Sequence, residues 1–523
     1  MSARHVGVNV PLFSLRSERG WGIGELTDLA TVTAWMAEAS FDRLMLLPLG
    51  TMPHGQTSPY SAVSTLAIDP IYIGFHALED FARAGGVAAL SPDAREALEA
   101  ARLSNVVWHE MVLRAKDQAL QLAFAQFLRT EWALRTARAD ELAAFVDRER
   151  WWIDDYALFL ALREANGRLG WRDWPPSLAQ RSPAALDVAR ERLAEDILFH
   201  QYAQWVAETQ WLEARAAAHA RGINLYGDLP FVAGTDSPEV WAHADEFRLD
   251  VSTGVPPDAF SDTGQDWGLP TYNWDVIAAG GYAWQRLRAK RMAHLYDGLR
   301  VDHVIGLFRT YGRPATGDPF FTPADEPSQI AQGRAIMQIL AGSGLQLIAE
   351  DLGVTPGFVR ESLADLGIPG CKVMRWERNW DEPGAPFVAP DTYAARSATM
   401  TGTHDTEPLA AWWSGAPDDE RAAYLRMLGA DDVAAASLPA WSDELRDHFL
   451  RAAYRSGSTE LFLPFQDLFG WADRVNVPGT VGPHNWTWCL PWRVERLGDL
   501  PEARDRAAVL RQLARETGRG TGV

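Results

Sequence analysis

Eight short apolar runs recur along the chain, and helical patterns separate several of them. A parallel strand that is covered on both faces stays apolar throughout, because neither of its faces meets water. Eight such strands that alternate with helices are typical of a closed (β/α)8 TIM barrel, which is an α/β fold. The predicted strands are, in order, residues 6–10, 43–49, 223–228, 298–303, 345–351, 371–376, 398–405 and 459–463.

The connection between the second and third predicted strands is too long for a single crossover. From about residue 80 to about residue 215 the chain is rich in Ala, Leu, Glu, Arg and Trp, and apolar residues recur at helical spacing in 108–128. Ser91 before Pro92 is a typical helix start, with the serine as the capping residue. We therefore predict a large helical insertion at this point of the barrel.

These patterns divide the chain into three parts. Residues 1–80 would supply the first two barrel strands, residues 81–215 the helical insertion, and residues 216–523 the rest of the barrel with its active-site loops. After the eighth strand only the loop 476–492 and one helix, 501–515, are predicted, so we expect no C-terminal β-domain.

The composition limits the partners and cofactors that the chain could use. A net charge of −20 argues against nucleic acid or an anionic membrane as the main partner. No apolar stretch is long enough to span a bilayer, and we expect a cytoplasmic protein. The two cysteines, Cys371 and Cys489, predict neither a disulfide framework nor a cysteine metal site. The histidines lack metal-ligand spacing and no nucleotide-binding fingerprint stands in the right setting, so we expect no metal and no cofactor. The oligomeric state stays open.

Three acidic residues stand at the ends of three predicted strands: Asp302, Glu350 and Asp405. A charged group beside a buried core is costly, so its presence needs a reason. The strands of a parallel barrel direct their C-terminal ends into one mouth, where such barrels build their active sites. We therefore predict that the three carboxylates meet in one mouth.

The neighbours of these acids indicate what each could do. Arg300 and Asp302 are two residues apart in a predicted strand, so their side chains lie on the same face. A neighbouring guanidinium favours the ionised form of a carboxylate, and an ionised Asp302 could act as a nucleophile. A purely structural ion pair between the two residues is equally compatible with this spacing. The apolar approach to Glu350 favours a general acid, although only one of Glu350 and Asp351 can enter the mouth. Asp405 could bind substrate hydroxyls or cap the next helix. Together these residues indicate acid–base chemistry on a neutral, hydroxyl-rich substrate.

Aromatic and histidine side chains accompany the acids. His303 and His404 flank two of them, and we expect both to donate hydrogen bonds inside the mouth. Core packing would explain most of the 23 Trp residues. Some, however, lie beside Gly, Asp or Asn in predicted loops, where a flat ring would suit the C–H face of a sugar. These are Trp267, Trp274, Trp486 and Trp488.

Motifs spread along nearly the whole chain resemble those of one family, the 4-α-glucanotransferases of the amylomaltase type, and they occur in the family's order. The TGQDWG motif together with the preceding Pro-Pro-Asp is specific to that family. The motifs are SPY at 58–60, GDLP at 227–230, GVPPD at 254–258, TGQDWG at 263–268, LRVDH at 299–303, AEDLG at 349–353, THDT at 403–406 and NVPGT at 476–480, with Asn485 and Trp486.

The resemblance implies a retaining enzyme of the α-amylase superclan that moves α-1,4-glucan segments between maltooligosaccharides, with these glucans as its partners. It implies that Asp302 is the nucleophile, Glu350 the general acid/base and Asp405 the stabiliser of the transition state. In a retaining enzyme the two reacting carboxyl groups lie roughly 5–5.5 Å apart. The implied substrate-binding residues are Ser58, Tyr60, Asp258, Gln265, Trp267, Arg300, His303, His404 and Asn476.

The sequence departs from the family pattern in three places. Ala259 follows Pro-Pro-Asp where a Tyr is frequent, and residues 52–56 lack a Tyr that some members use in a second glucan site. Glu407 and Pro408 after Thr406 form a less usual pair. Chain-length preference and the formation of large rings are therefore not predicted.

Two other functions remain compatible with the residues. An α-glucan hydrolase would use the same acids, and a non-catalytic glucan-binding protein would use the same loops, although three intact acids argue against the latter. We also predict that residues 254–267 form a lid over the mouth, because a transferase must keep water from its covalent intermediate. An ordinary surface loop is the alternative.

Overall fold

The computed structural model describes residues 3–53, 55–257, 263–430 and 438–522. Eight parallel strands close into a barrel in the order β1-β2-β3-β6-β9-β10-β11-β12, which confirms the predicted fold and all eight predicted strands. The strands are β1 Gly7–Asn9, β2 Arg43–Met45, β3 Asn224–Leu229, β4 Phe247–Val255, β5 Gln265–Tyr272, β6 Gly298–Val301, β7 Thr310–Pro314, β8 Phe320–Thr322, β9 Gln346–Ala349, β10 Gly370–Val373, β11 Ser397–Met400 and β12 Glu460–Pro464.

The barrel strands are mostly apolar because each of them faces two cores. Leu44, for example, packs outward into the core beneath the helices, whereas the adjacent Met45 points into the barrel. Successive side chains of a strand point to opposite faces, so a strand between two cores favours apolar residues on both faces. The inner core consists of Met45, Tyr226, Ile348, Cys371, Val373, Ala398, Met400 and Phe462.

Helices fill the long connection between β2 and β3, as predicted for the insertion. The side chain of Ser91 caps the third helix by accepting a hydrogen bond of 3.2 Å from the backbone N–H of Ala94. The limits of the three predicted parts of the chain stay a prediction. The helices are α1 Leu29–Glu38, α2 Glu79–Arg83, α3 Pro92–Leu103, α4 His109–Phe127, α5 Ala137–Ala165, α6 Pro176–Ala179, α7 Pro183–Arg192, α8 Ala194–His219, α9 Pro238–Ala242, α10 Trp274–Ala279, α11 Ala283–Leu295, α12 Val304–Phe308, α13 Glu326–Gly342, α14 Gly357–Leu366, α15 Leu409–Gly415, α16 Asp418–Met427, α17 Asp443–Arg455, α18 Phe465–Phe469 and α19 Pro501–Thr517.

Helix α8 contacts both the insertion and the barrel: it packs against α5 of the insertion and against α1 and β3 of the barrel. It therefore serves as the crossover that returns the chain to the barrel. At the other end of the chain, residues 465–522 contain the predicted helix, α19, and also the short helix α18, which the sequence analysis did not predict. None of the helices in the described ranges is long and apolar enough to cross a membrane.

A second sheet, which the sequence analysis did not predict, lies outside the barrel. It is antiparallel, with the order β5-β4-β7-β8, and it is built from the connections that follow β3 and β6. The predicted loop 254–267 begins in the last two residues of β4 and ends in the first three residues of β5. These strands alternate between buried and exposed residues only in part, so no apolar run marks them.

The last residues of the chain hold the barrel together at the end opposite the mouth. Arg519 is fully buried, and burial lowers the pKa of its guanidinium to about 9. Its nitrogens donate hydrogen bonds to main-chain oxygens around the N-terminal ends of β1 and β12. The acceptors are the carbonyls of His5, Tyr454, Ser456, Ser458 and Thr459, at 2.6–3.2 Å.

Replacing Arg519 by Ala is expected to lower the free energy of unfolding by about 3 kcal/mol, because several buried carbonyls would lose their donor together. Urea unfolding followed by far-UV circular dichroism would show the loss as a lower midpoint. Arg515→Ala is the matched control, because Arg515 is an exposed arginine in the last turn of α19, four residues before Arg519. Equal midpoints for the two variants would contradict a structural role of Arg519.

Candidate active site

The ends of neighbouring barrel strands bring two of the predicted acids together. Asp302 directly follows β6 and Glu350 directly follows β9, and these strands pair so that Val301 lies opposite Ala349. The two acids therefore leave the barrel at the same level. A carboxylate oxygen of Glu350 accepts a hydrogen bond of 2.9 Å from the backbone N–H of His303, which ties the two strand ends to each other.

A single guanidinium links Asp302 to a further acid. Nη1 of the buried Arg300 donates to Oδ1 of Asp302 at 2.8 Å and to both carboxylate oxygens of Asp228 at 2.7 and 2.9 Å. Burial disfavours the charge of Arg300, but these two carboxylates raise its pKa well above the usual range. Arg300 thus forms a buried ion pair with Asp228 and also places a positive charge beside Asp302.

Glu350 has the environment of a general acid. Its second carboxylate oxygen accepts from the N–H of Leu352 at 3.1 Å. Burial raises the pKa of Glu350 to about 7, with a further increase from the charge of Asp302 and a partial offset from Arg300. A carboxyl group with a pKa near 7 can both donate and accept a proton at neutral pH.

Asp351, the other acid at this strand end, points away from the mouth. Its Oδ1 accepts from the backbone N–H of Cys371 at 2.9 Å, and Nε of Arg360 lies 3.5 Å from its Oδ2. The two neighbouring acids therefore bind different strand ends: Glu350 is hydrogen-bonded to the residue after Asp302, and Asp351 to the adjacent strand β10.

Asp405 follows β11 and is held by two side chains. Asn476 donates to its Oδ1 at 2.6 Å, and Nε2 of His404 lies 3.3 Å from its Oδ2. Burial opposes the charge of Asp405, but His404 and Asn476 hold its pKa well below the usual range. Likewise, burial opposes the charge of His404, yet Asp405 raises the histidine's pKa.

Asp405 does not cap the following helix. The N–H of Leu409, the first residue of α15, donates instead to Oδ1 of Asp467 at 2.7 Å. The main-chain oxygen of Asp405 accepts from Arg474 at 2.9 Å, and Arg474 also pairs with Glu407 at 2.7 Å. The carboxylate of Asp405 is therefore available to a ligand in the mouth.

His303 joins the mouth to the antiparallel sheet. It lies in the left-handed region at φ 45°, and the ring of Trp267 meets it edge-on at 4.8 Å. A Cβ on Gly306 would come within 2.6 Å of the imidazole, so this position requires glycine. Burial lowers the pKa of His303 to about 4, which keeps it neutral. Gln265 accepts from the indole N–H of Trp267 at 3.3 Å, so both predicted binding residues of β5 lie together beside His303.

An aromatic wall stands on the other side of the mouth. The rings of Tyr60 and His404 stack at 5.0 Å, and Trp486 lies 5.8 Å from Tyr60 and 5.7 Å from His404. Tyr60 donates to Asp228 at 2.7 Å, which connects this wall to Arg300. Ser58 is half-buried on the same loop, and its main-chain oxygen accepts from the N–H of Ser61 at 3.1 Å.

The structure thus brings together the predicted site residues other than Ser58 and Asp258. Ser58 stands on the loop that carries Tyr60, and Asp258 lies outside the described residues. Three of the four tryptophans considered for sugar binding, Trp274, Trp486 and Trp488, are buried and pack in the core, although Trp486 also contacts Tyr60 and His404.

Three residues of the site had no predicted role: Asp228, Phe231, whose ring meets His303 edge-on at 5.8 Å, and Arg474. Asp228 stands at a strand end like the other acids, so it was open to detection. Phe231 and Arg474 carry no comparable signal in the sequence.

One group of side chains in the described ranges has metal-ligand geometry, and it lies away from the mouth. It consists of Glu149, Glu208 and His294. Arginines already occupy it, since Arg148 donates to Glu208 at 2.6 Å and Arg291 contacts both glutamates. These cations balance the acidic charge, so the group gives no reason to assign a metal.

Comparison with known proteins agrees with the motifs. The 4-alpha-glucanotransferase family model matches residues 10–494. The 4-alpha-glucanotransferase of Synechocystis is 34% identical over 485 residues, 90% of each chain, and that of Thermus thermophilus is 33% identical over 506 residues, 93% of this chain and 96% of the other. The structure of an amylomaltase from Streptococcus agalactiae in complex with acarbose covers 99% of this chain and 100% of its own, with a TM-score of 0.83 and 28% identity. The resemblance is confirmed, and the chain belongs to the 4-alpha-glucanotransferase family.

Proposed function

We propose that this 4-alpha-glucanotransferase moves α-1,4-glucan segments from one maltooligosaccharide to another by a retaining double displacement. The observation that carries the proposal is the pair of acids on neighbouring strands. Asp302 is held beside a guanidinium, whereas Glu350 is half-buried and desolvation raises its pKa to about 7. Two carboxyl groups with such different environments suit a nucleophile and an acid/base.

In the first step Glu350 protonates the glycosidic oxygen while Asp302 attacks the anomeric carbon. The bond to the leaving oligosaccharide breaks, and the transferred segment becomes an ester of Asp302. In the second step Glu350, now ionised, takes the proton of an acceptor's 4-hydroxyl as that oxygen attacks the same carbon. Asp302 leaves, and Glu350 is protonated again, so the two steps restore the enzyme.

The remaining site residues would bind the sugar and the developing charge. Asp405 stays ionised between His404 and Asn476, so it can stabilise positive charge at the anomeric carbon. His303 is neutral and can donate to a hydroxyl. Tyr60, stacked on His404, and Trp267, edge-on to His303, supply aromatic rings for the sugar. We assign Ser58, Asp258 and Gln265 to substrate binding as well, on the family's motifs.

The pKa of Glu350 predicts the pH dependence of the first step. Since the protonated form is the active acid, kcat/KM should fall above about pH 7, by about tenfold per pH unit. The measurement uses the rate of glucose release from maltotriose across the pH range. A donor with a fluoride leaving group, α-maltosyl fluoride, needs no proton and is the control. An equal alkaline fall with both donors would contradict the assignment of Glu350.

We also propose that the hairpin of β4 and β5 limits the access of water to the ester of Asp302. Trp267 lies on β5 against His303, whose backbone binds Glu350, so its ring stands beside the reacting groups. Replacing Trp267 by Ala should raise the ratio of hydrolysis to transfer several-fold and weaken the use of acceptors.

The ratio follows from new reducing ends, which only hydrolysis creates, and from chromatography of the transfer products. Asp266→Asn is the matched control, because Asp266 is the preceding residue of β5 and is exposed. An unchanged ratio of hydrolysis to transfer in Trp267→Ala would show that the hairpin has only a structural role.

Incubation with maltotriose tests the function as a whole. Transfer gives free glucose and a ladder of longer maltooligosaccharides, whereas hydrolysis gives shortening alone. A protein that only binds glucans would leave maltotriose unchanged. The three outcomes separate the proposed transferase from both alternatives.

We propose a cytoplasmic location as well. Both cysteines are buried free thiols, which suits a reducing compartment.

The glucans proposed as donors and acceptors carry no charge, so the net charge of −20 on the protein does not repel them.

A further inference from the structure

Four exposed large apolar side chains lie on the connections that follow the C-terminal ends of barrel strands. They are Val354 after β9, Trp376 and Trp380 after β10, and Val481 after β12. Of the other large apolar side chains that the structure describes as exposed, Val276 lies on α10 and eight lie in residues 79–219. Exposed apolar groups on one face often mark a site of interaction.

Trp380, which is 73% exposed, lies near the tip of a hairpin. The hairpin, residues 376–388, has an antiparallel bridge between Arg378 and Phe387. The N–H of Asn379 donates to the carbonyl of Pro386 at 2.9 Å, so the two arms stay paired next to the tryptophan. The backbone at Trp380 is therefore fixed although its ring is not packed.

The hairpin is anchored to helix α16. The guanidinium of Arg378 lies 3.7 Å from the centre of the Phe387 ring and donates to Glu420 at 2.9 Å. Phe387 also meets the ring of Tyr424 edge-on at 5.1 Å. The position of Trp380 thus depends on contacts made by its neighbours, which leaves its own ring free to bind.

The hairpin rises from the wall of the active site. Strand β10 lies between β9, which leads to Glu350, and β11, which leads to Asp405. Arg375, just before the hairpin, donates to the carbonyl of Glu407 at 2.5 Å. Glu407 in turn pairs with Arg474, which holds the main chain of Asp405. The base of the hairpin and the acid site are therefore parts of one connected structure.

We propose that Trp380 is a stacking platform for a glucose unit of a long α-glucan, outside the sugars bound at the carboxylates. An exposed indole ring on a fixed backbone presents a flat apolar face to the C–H groups of a pyranose, and binding has to order only the two side-chain torsions of the tryptophan. The exposed Asp381 and Glu382 beside it accept hydrogen bonds from hydroxyl groups and repel anionic chains. The occupant is therefore a neutral polysaccharide, and the inference rests on the proposed transfer of α-1,4-glucans.

The test compares Trp380→Ala with Leu134→Ala, because Leu134 is equally exposed, at 70%, but lies in the insertion. In Trp380→Ala, the ratio of kcat/KM for amylose to kcat/KM for maltotriose should fall about tenfold, which corresponds to ~1.4 kcal/mol of binding. Leu134→Ala should keep the parent ratio, and Trp380→Phe should recover part of the loss. Native gels that contain amylose should retard the parent and Leu134→Ala more than Trp380→Ala.

An unchanged ratio and unchanged retardation in Trp380→Ala would overturn the proposal. An equal loss on both substrates would also overturn it, because the ring would then act at the carboxylates or on the fold. Failure of the parent protein to convert maltotriose would instead refute the proposed function, so the two failures can be told apart.

Discussion

Asp302→Asn and Glu350→Gln are each expected to abolish the transfer reaction with maltotriose. In both variants kcat/KM should fall by several powers of ten. An amide in place of the Asp302 carboxylate would be a poor nucleophile, and an amide in place of the Glu350 carboxyl could neither donate nor accept the required proton. Both acids lie at strand ends and are held by hydrogen bonds that an amide can partly keep, so the fold should survive.

The two variants should fail at different points, and α-maltosyl fluoride separates them. Fluoride leaves without a proton, so Glu350→Gln should still form the ester with Asp302 but release it slowly. Intact-mass spectrometry should therefore show a population heavier by one maltosyl group in this variant. Asp302→Asn should show none.

Asp351→Asn is the matched control for both, since Asp351 is the neighbouring acid and points away from the mouth toward Cys371. It should retain most of the transfer activity. Near-parental turnover of Asp302→Asn or of Glu350→Gln on maltotriose would show that the roles are wrongly assigned. So would a stable adduct in Asp302→Asn.

The barrel could be predicted from the sequence because its strands lie between two cores. That double burial leaves largely apolar runs, and a carboxylate at the end of such a run is conspicuous, as at Asp302 and Glu350. The antiparallel sheet left no such signal. Strands β4 and β5 mix buried and exposed residues, and their connection is rich in Gly and Pro, so the pattern there indicated a loop.

The finer arrangement of the site depends on strand register, which a single sequence does not specify. Asp228 lies opposite Arg300 only because β3 pairs with β6 in one particular register. The same holds for Glu350 and Asp351: alternation shows that one of them enters the mouth, but the structure is needed to show which. The role of Trp380 depends on a short hairpin that has no apolar pattern of its own.

Replacing Arg300 by Met is expected to lower the free energy of unfolding by about 3–5 kcal/mol, because it removes the shared cation of two carboxylates. Burial already raises the pKa of Asp228, and Arg300 is the main group that opposes this. Without the guanidinium, the buried Asp228 would be uncompensated. Urea unfolding at neutral pH would measure the loss.

The double variant Arg300→Met with Asp228→Asn separates stability from catalysis. Removing the buried charge of Asp228 should recover much of the lost stability, since the two residues are in direct contact and their effects are not additive. Transfer should remain strongly impaired, because Asp302 would still lack the positive charge beside it. Recovery of both stability and transfer in the double variant would mean that Arg300 serves only to balance Asp228. If Arg300→Met alone were as stable as the parent, Arg300 would not stabilise the fold through its contact with Asp228 on the neighbouring strand β3.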